Sequence, residues 1–492
     1  MISRRIFVGG ALAGLAQPAW AMPPDTSLRP MVRPTGLARR AIPSAVELIA
    51  EARLGGRVGF AVADARTGEM LEVVHPLFGM PPASVAKAIT CAYGLDRLGP
   101  GYRFRTRLVA DGPVQNGRLD GDLWLVGGGD PLLGTDQLSA MARSLRESGL
   151  REVTGRLMLA SNALPYIRAI DPEQPAHVGY NPAISGLNLN FNRVHFEWAR
   201  DGGEYSVQMD ARSETLRPPV ARMRMRVADR DVPVYTYEET ETRENWTVAR
   251  RALGNGGSRW LPVRRPHLYA GEVFQVLARS NGIVLAGPGE GVSPQNGSVL
   301  AEHVSEPLED ILRGMMRWST NITAEAVGLS ASIAGGAAPG SLDGSAAEMN
   351  TWMNQRLGSR HTAFIDHSGL GDASRVRPQD MTHALVEAGA NGMVRRLMKD
   401  IPMRDAEGNL IADHPVEVVA KTGTLNFVSS LAGYARAPGG RDLAFSIFCA
   451  DLDRRQALNP AQMERPEGGR SYTRRSKRLQ QRLIERWAGV YG

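Results

Sequence analysis

Lysine is rare in this chain, and two of its four lysines stand in patterns that could do chemistry. The 492 residues include 58 lysines and arginines, yet lysine occurs only at positions 87, 399, 421 and 477. A lysine can give up its proton in a protein, whereas an arginine stays charged. Lys87 is therefore the first candidate for acid–base chemistry, and Lys421 is a second candidate site residue.

The stretch PPASVAKAIT places Ser84 at the start of a helix predicted over 84–98, with Lys87 three residues further on. This spacing brings both side chains to one face of the helix, so the amine can reach the hydroxyl. A serine becomes a strong nucleophile when a base removes its proton, and a lysine can be that base if burial and nearby positive charge lower its pKa. Alone, Ser-x-x-Lys is a weak signal.

A second motif, KTGT, stands near the end of a predicted strand and contains Lys421, Thr422, Gly423 and Thr424. Glycine in a strand lets a ligand approach the backbone closely. Lys421 can supply a cation, and either threonine a hydroxyl, for a substrate carboxylate. The other interpretation is an ordinary strand end with a solvated lysine.

A third motif is the only Ser-x-Asn of the chain, Ser319 to Asn321, which follows a predicted helix. Taken alone, such a tripeptide is more often a helix cap or a turn than a site. It gains weight only in combination with the two lysine motifs.

The elements that must position these motifs come from both ends of the chain. Alternating apolar residues predict strands, and longer periodic segments predict helices. The predicted strands lie over 57–76 (two strands), 415–425, 428–437 and 442–451, and the predicted helices over 84–98, 306–318, 322–334, 345–357 and 476–490. Helices around an antiparallel sheet give an α+β fold.

The middle of the chain, 109–296, is rich in strands and turns and is interpreted as one or two inserted domains. GGGD at 127–130 has no following Gly-Lys-Ser/Thr, so we interpret it as a tight turn and not as a phosphate cradle. RMRMRV at 222–227 puts three arginines on one face of a strand, which is either a solvated face or a surface for an acidic polymer.

The first residues predict export. Residues 1–21 combine two arginines, an apolar run and a small-x-small end, which is the pattern of a secretory signal cleaved before Met22. SRRIF at 3–7 resembles the twin-arginine signal, and a general secretory signal is the alternative. Export argues against nucleic acid as the partner of this basic chain, whose formal charge is +7. No later run reaches the length of a transmembrane helix.

Cysteine and histidine usage limits the remaining chemistry. With only Cys91 and Cys449 there is no disulfide framework, and whether the two are bridged stays open. Nine scattered histidines without a ligand pattern predict no metal site, and no cofactor is expected.

In the order Ser-x-x-Lys, Ser-x-Asn, Lys-Thr-Gly, the three motifs resemble the signature of penicillin-binding proteins and serine β-lactamases. The 235 residues from Ser84 to Ser319 exceed what a compact β-lactamase needs. With GDLWLVGGGDPLL, SGLNLNFN and DHSGLG, this spacing resembles the D-alanyl-D-alanine carboxypeptidase/endopeptidase family, the class C low-molecular-mass penicillin-binding proteins. The resemblance implies a transpeptidase-type domain over 22–108 and 297–492, interrupted by 109–296.

The resemblance also implies roles for the motif residues. Ser84 would attack the carbonyl of a D-Ala-D-X bond and form an acyl-enzyme, with Lys87 as its base. Ser319 and Asn321 would relay protons and hold the substrate amide.

On the strand, Lys421 and Thr422 would anchor the terminal carboxylate of the substrate beside Gly423. The backbone N–H groups of Ser84 and Thr424 would form the oxyanion hole for the tetrahedral intermediate.

The chain departs from the family pattern at a few positions. Thr320 replaces the usual Asp, and in DHSGLGD the residues His367, Gly371 and Asp372 replace Gly, Ser and Arg. In the family that arginine is associated with a carboxylate of the stem-peptide side chain, so the side-chain preference stays open.

The predicted function is a periplasmic serine DD-carboxypeptidase and DD-endopeptidase that acts on peptidoglycan stem peptides and is acylated by β-lactams. The alternatives are a serine β-lactamase and a non-catalytic peptidoglycan-binding relative. The sequence leaves open the oligomeric state and the balance between carboxypeptidase and endopeptidase activity.

Overall fold

A computed structural model describes residues 42–359, 361–459, 462–464 and 466–492. The predicted signal over 1–21 lies outside these residues. Residues Pro43–Gly492 form one compact unit. Within the described ranges, no helix is both long enough and apolar enough to cross a membrane.

The secondary structure elements are numbered here in chain order. The strands are β1 Arg57–Asp64, β2 Met70–Val74, β3 Arg105–Ala110, β4 Val114–Gln115, β5 Arg118–Leu119, β6 Leu123–Val126, β7 Glu152–Ala160, β8 Arg193–Asp201, β9 Glu204–Asp210, β10 Met223–Ala228, β11 Tyr235–Glu239, β12 Glu244–Ala249, β13 Gly256–Pro262, β14 Val284–Glu290, β15 Ser298–Val304, β16 Lys399–Asp400, β17 Glu417–Leu425, β18 Val428–Arg436 and β19 Asp442–Ala450. The helices are α1 Ala45–Ala52, α2 Ala86–Leu98, α3 Thr135–Glu147, α4 Pro266–Ser280, α5 Leu308–Trp318, α6 Asn321–Ala334, α7 Leu342–Leu357, α8 Pro378–Ala388, α9 Met393–Leu397, α10 Leu452–Gln456 and α11 Gly469–Tyr491.

A six-stranded antiparallel sheet carries the KTGT strand and joins the two ends of the chain. Its strand order is β16-β17-β18-β19-β1-β2. Strands β18 and β19 are buried along almost their whole length because helices cover both faces of the sheet. On one face, the ring of Trp487 in α11 packs edge-on against Phe60 of β1, with ring centroids 5.2 Å apart. The predicted α+β fold is confirmed.

Helix α2 packs against α6 and α7 on the opposite face of the sheet and forms the wall behind Ser84. The sequence predicts one helix over 84–98, whereas the chain forms a 3-10 turn, Ala83–Val85, before α2 begins at Ala86. Ala83 has φ of 46°, in the left-handed region that a residue with a Cβ rarely adopts. Such backbone strain is typical of functional turns.

The inserted region contains three further sheets and its own apolar core. The largest sheet has the order β15-β3-β6-β7-β5-β4, with β14 also paired to β7. Strands β3 and β15, close to the predicted boundaries of 109–296, pair with one another, so the region leaves and rejoins the rest of the chain at one place. The smaller sheets are β10-β12-β11 and β13-β8-β9. The division into domains stays a prediction.

Both cysteines are free. Cys91 lies in α2 and Cys449 in β19, and both are fully buried. Burial raises the pKa of each thiol to about 12, so both behave as small apolar side chains. The bridge that the sequence left open is absent.

Candidate active site

Ser84 and Lys87 lie side by side, as their spacing predicted. Ser84 is half-buried in the 3-10 turn, and Lys87 is fully buried in the first turn of α2. The Lys87 Nζ lies 3.0 Å from the Ser84 Oγ. A base is thus within hydrogen-bonding distance of the hydroxyl proton.

Two other acceptors fix the direction of the Lys87 amine. Its Nζ donates to Asn321 Oδ1 at 2.8 Å and to the Ser368 carbonyl at 2.7 Å. A neutral amine has two N–H groups and one lone pair, and both of these oxygens can only accept. When Lys87 is neutral, its lone pair therefore faces Ser84.

The side-chain amide of Asn321 is oriented by the inserted region. Its Nδ2 donates to the carbonyl oxygen of Tyr180 at 2.9 Å. Because that carbonyl accepts only, the amide nitrogen of Asn321 must face Tyr180 and its oxygen must face Lys87. Tyr180 could not be predicted from the sequence, because it contributes only its main-chain carbonyl and lies 141 positions from Asn321.

Burial lowers the pKa of Lys87 to about 8, while the negative charges of Glu325 and Asp366 act in the opposite direction. Both carboxyl groups are themselves fully buried, and burial raises the pKa of each. A shared proton can therefore reside on a carboxyl group and leave the amine neutral near physiological pH.

Glu325 also positions the segment that touches the amine. Its carboxylate accepts from the backbone N–H groups of His367 at 3.0 Å and Ser368 at 2.9 Å. Asp366 accepts from Gly369 and Gly371, each at 2.6 Å. The stretches STNITAEAV (319–327) and DHSGLG (366–371) contain these carboxylates, but their electrostatic effect on Lys87 depends on the packing of distant segments.

Ser319 and Lys421 form the opposite wall of the site. Ser319 ends helix α5 in the left-handed conformation, with φ of 60°. Its Oγ accepts from Lys421 Nζ at 2.9 Å, and the same amine donates to the Thr422 carbonyl at 2.7 Å. Burial, followed by the charges of Lys87 and Lys399, lowers the pKa of Lys421 to about 6. Burial therefore disfavours the charged form of this amine near neutral pH.

Gly423 allows strand β17 to pass beside the serine turn. A Cβ at this position would lie 2.7 Å from the Pro82 carbonyl oxygen and 3.0 Å from the Ser84 nitrogen. Only glycine fits such an approach without displacing the strand. Thr422 and Thr424 flank this contact and line the same groove as Ser84.

The predicted site residues lie in or directly beneath one groove of about 2200 Å³. Ser84, Ser319, Asn321 and the strand segment 422–424 line it. Lys87 and Lys421 lie buried beneath it and reach it through their hydrogen bonds to the two serines. The structure therefore brings all eight predicted site residues together.

The departures from the family pattern have different surroundings. His367 is fully buried, and a Cβ on Gly328 would lie 2.1 Å from its ring, so the histidine fills space behind α2 and not the groove. Asp372 does line the groove and forms an ion pair with Arg455 at 2.5 Å. The Thr320 hydroxyl donates to Thr323 at 2.9 Å. Of these three residues, only Asp372 lines the groove.

Within the described ranges, one group of three potential metal ligands comes together, formed by His195, Glu197 and Asp210 in the inserted region. Arg212 donates to Glu197 at 2.6 Å and to Asp210 at 3.0 Å. The guanidinium group already neutralises both carboxylates, so we assign no metal to this group.

Comparison with known proteins identifies relatives along most of the chain. A family model described as "D-Ala-D-Ala carboxypeptidase 3 (S13) family" matches residues 44–465. A D-alanyl-D-alanine carboxypeptidase of Actinomadura sp. is 29% identical over 437 residues, covering 80% of this chain and 77% of the relative. The D-alanyl-D-alanine carboxypeptidase DacB of Haemophilus influenzae is 25% identical over 422 residues, covering 80% of this chain and 85% of the relative.

The solved structures agree with this relationship. The crystal structure of penicillin binding protein 4 (dacB) from Haemophilus influenzae is similar with a TM-score of 0.72 at 21% identity, covering 90% of this chain and 99% of that chain. The same protein is also solved in complex with a β-lactam. This likeness shows the fold.

Proposed function

The chain belongs to the D-Ala-D-Ala carboxypeptidase 3 (S13) family of serine peptidases, and on that premise we propose how its site cleaves D-Ala-D-X bonds of peptidoglycan stem peptides. The Ser84 Oγ attacks the carbonyl carbon of the scissile bond while the lone pair of neutral Lys87 takes the hydroxyl proton. The C–N bond then breaks and leaves an ester between the stem peptide and Ser84.

The leaving amine needs a proton, and the Ser319 hydroxyl supplies it. Lys421 is hydrogen-bonded to that hydroxyl, so it can replace the proton that Ser319 gives away. The proton on Lys87 then passes through water in the groove to Lys421, which restores both amines. Water attacks the ester, and Lys87 takes a proton from that water and gives it to the departing Ser84 oxygen. The products are the shortened stem peptide and the free D-amino acid or, for a cross-link, a second peptide.

The groove supplies the groups that bind the substrate. Asn321 holds the substrate amide, and the hydroxyl groups of Thr422 and Thr424 hold its terminal carboxylate. The N–H groups of Ser84 and Thr424 stabilise the oxyanion, the type of interaction that contributes most in acyl transfer. The carboxylate also raises the pKa of Lys421, which then binds it as a cation.

The observation that carries this proposal is the orientation of Lys87, whose two fixed acceptors leave only Ser84 for the lone pair. The predicted signal over 1–21 supports action in the periplasm, and the β-lactam complex of the Haemophilus relative supports acylation by β-lactams.

The test is the release of D-Ala from a stem peptide that ends in D-Ala-D-Ala. The wild-type protein releases it, and Ser84→Ala does not. Equal rates for the two proteins would end the proposal. Rapid turnover of penicillin, in place of a long-lived ester, would favour a β-lactamase instead.

A further inference from the structure

A group of basic side chains lines the part of the groove next to the KTGT strand. We call it the basic cluster, and its members are Lys399, Arg404, Arg470, Arg474, Arg475, Lys477 and Arg478. In the described part of the chain, none of them forms an ion pair with a carboxylate. The cluster contains the two lysines that the site does not use.

Helix α11 presents four of these cations on one face. Arg470, Arg474, Lys477 and Arg478 are exposed and recur at helical spacing, while the opposite face packs against the sheet. Arg470 lies in the first turn of the helix, where the positive end of the helix dipole disfavours a cation. Like charges four residues apart also repel one another. Local helix stability therefore does not account for this arrangement, and an anionic partner would.

The cluster adjoins the strand that we propose binds the substrate carboxylate. Lys399 pairs with Ala420 of β17, the residue before Lys421. Gly423 contacts the serine turn, and Thr422 lies between Gly423 and this end of the strand. A leaving group held by its carboxylate at Thr422 therefore points towards the basic cluster.

Among the acidic residues that line the groove, Asp405 and Glu407 lie in the same chain segment as Arg404 of the basic cluster. Asp405 accepts from the backbone N–H and the side-chain amide of Asn409, at 2.8 and 3.1 Å, so its carboxylate is engaged within its own loop. Glu407 is exposed beside it. Two carboxylates do not neutralise seven cations, so the surface stays positive.

We propose that the basic cluster binds the carboxylate-bearing peptide on the leaving side of the scissile bond. Because free D-Ala is too short to extend beyond its anchor, the cluster acts only on cross-linked substrate, whose leaving group is a second stem peptide. The cluster thus favours endopeptidase over carboxypeptidase activity. The inference rests on the proposed function of the site.

The chemistry of the surroundings selects this occupant over other polyanions. The cluster opens into the same concave groove as Ser84, so substrate seated at the serine passes along it. A membrane surface would need a flat or protruding basic face. The peptide on the leaving side of the scissile bond can instead bind along a concave groove.

The test compares two soluble substrates in the full-length mature protein. One is a pentapeptide that ends in D-Ala-D-Ala, and the other is a cross-linked dimer of stem peptides. The cluster variant is Arg474→Glu/Arg478→Glu. The matched control is Arg118→Glu/Arg143→Glu, two exposed arginines of the inserted region that form no ion pair in the described part of the chain and do not line the groove. Rates are measured at about 25 mM and about 300 mM salt.

We expect kcat/KM of the cluster variant on the dimer to fall about tenfold at the lower salt concentration, because two attractive charges become repulsive. High salt should narrow that difference, since it screens exposed charges. Cleavage of the pentapeptide and acylation by penicillin should match the wild type. The control variant should keep both rates.

Unchanged cleavage of the dimer by the cluster variant would overturn the proposal. An equal loss on both substrates would also overturn it, because the residues would then support the site as a whole. Loss of binding to anionic lipid vesicles with normal cleavage of the dimer would assign the surface to a membrane. Wild-type protein inactive on both substrates would instead overturn the proposed function.

Discussion

Lys87 and Asn321 are 234 residues apart in the chain, yet the amine of Lys87 donates to the side-chain oxygen of Asn321 across 2.8 Å. The Tyr180 carbonyl fixes which end of the Asn321 amide faces the lysine. The inserted region therefore takes part in orienting the base, although it carries none of the three catalytic motifs.

The first prediction concerns Glu325, which accepts two backbone hydrogen bonds beneath Lys87. Activity should rise with pH through the Lys87 pKa of about 8, because the base must be unprotonated. Removing the negative charge in Glu325→Gln lowers that pKa, so the rising limb of kcat/KM should move to lower pH. One backbone N–H also loses its acceptor, which should lower the free energy of unfolding by about 1–3 kcal/mol.

Glu272 provides the matched control for that change. It also accepts two successive backbone N–H groups, from Ala221 at 2.6 Å and Arg222 at 3.2 Å, and it lies in the inserted region. Glu272→Gln should lose similar stability without moving the pH profile. Glu325 does not affect the Lys87 pKa as predicted if the rising limb of kcat/KM stays at the wild-type pH in both variants.

A second prediction concerns proton uptake by Lys421. Its pKa of about 6 leaves the amine mostly neutral in the free protein near pH 7.5, and an arriving carboxylate raises that pKa. Binding of a D-Ala-D-Ala peptide to Ser84→Ala should therefore take up close to one proton. Titration calorimetry in two buffers of different ionisation enthalpy measures this number. A peptide with an amidated terminus is the control, and equal uptake for both peptides would contradict the prediction.

A third prediction concerns stability in acid. Burial lowers the pKa of His367 to about 3, whereas an unfolded histidine titrates near 6.5. Between these values the unfolded state binds the extra proton, so stability falls as the pH falls, by about 1.4 kcal/mol per pH unit. His367→Asn should remove this contribution to the slope of unfolding free energy against pH. Urea unfolding at a series of pH values measures that slope. His383→Asn, at a half-buried histidine, is the control, and an unchanged slope in His367→Asn would refute the assignment.

A fourth prediction concerns the close approach of β17 to the serine turn. In Gly423→Ala the new methyl group would lie 2.7 Å from the Pro82 carbonyl oxygen, so strand and turn must separate. A displacement of this size should slow acylation about 10²-fold, because the reacting groups lose their alignment. Gly314→Ala is the control, since a Cβ there meets nothing within 4 Å. Acylation of Gly423→Ala at the wild-type rate would show that the contact is unimportant.

Local patterns predicted much of this structure. The spacing of Ser84 and Lys87 was sufficient to place them together, because helical geometry fixes neighbours three residues apart. The family and the α+β fold also followed from the sequence and are confirmed. The roles of the individual site residues stay a proposal.

Contacts that depend on distant parts of the chain could not be predicted in this way. Tyr180 contributes only its main-chain carbonyl, which carries no side-chain signal. Glu325 and Asp366 reach Lys87 through the packing of α6 and the loop that follows α7. The basic cluster was likewise not predicted, because Lys399 and Lys477 are far apart in the sequence and come near one another only in the folded chain.

The central claim is that an unprotonated Lys87 activates Ser84, and mass spectrometry of the intact protein after penicillin treatment tests it most directly. The wild type should gain one penicillin adduct on Ser84, and Ser84→Ala none. Lys87→Arg keeps the charge but cannot accept the proton, so its acylation should slow by about 10²–10⁴-fold while it stays folded. Labelling of Lys87→Arg at the wild-type rate, or an adduct on another residue, would contradict the claim.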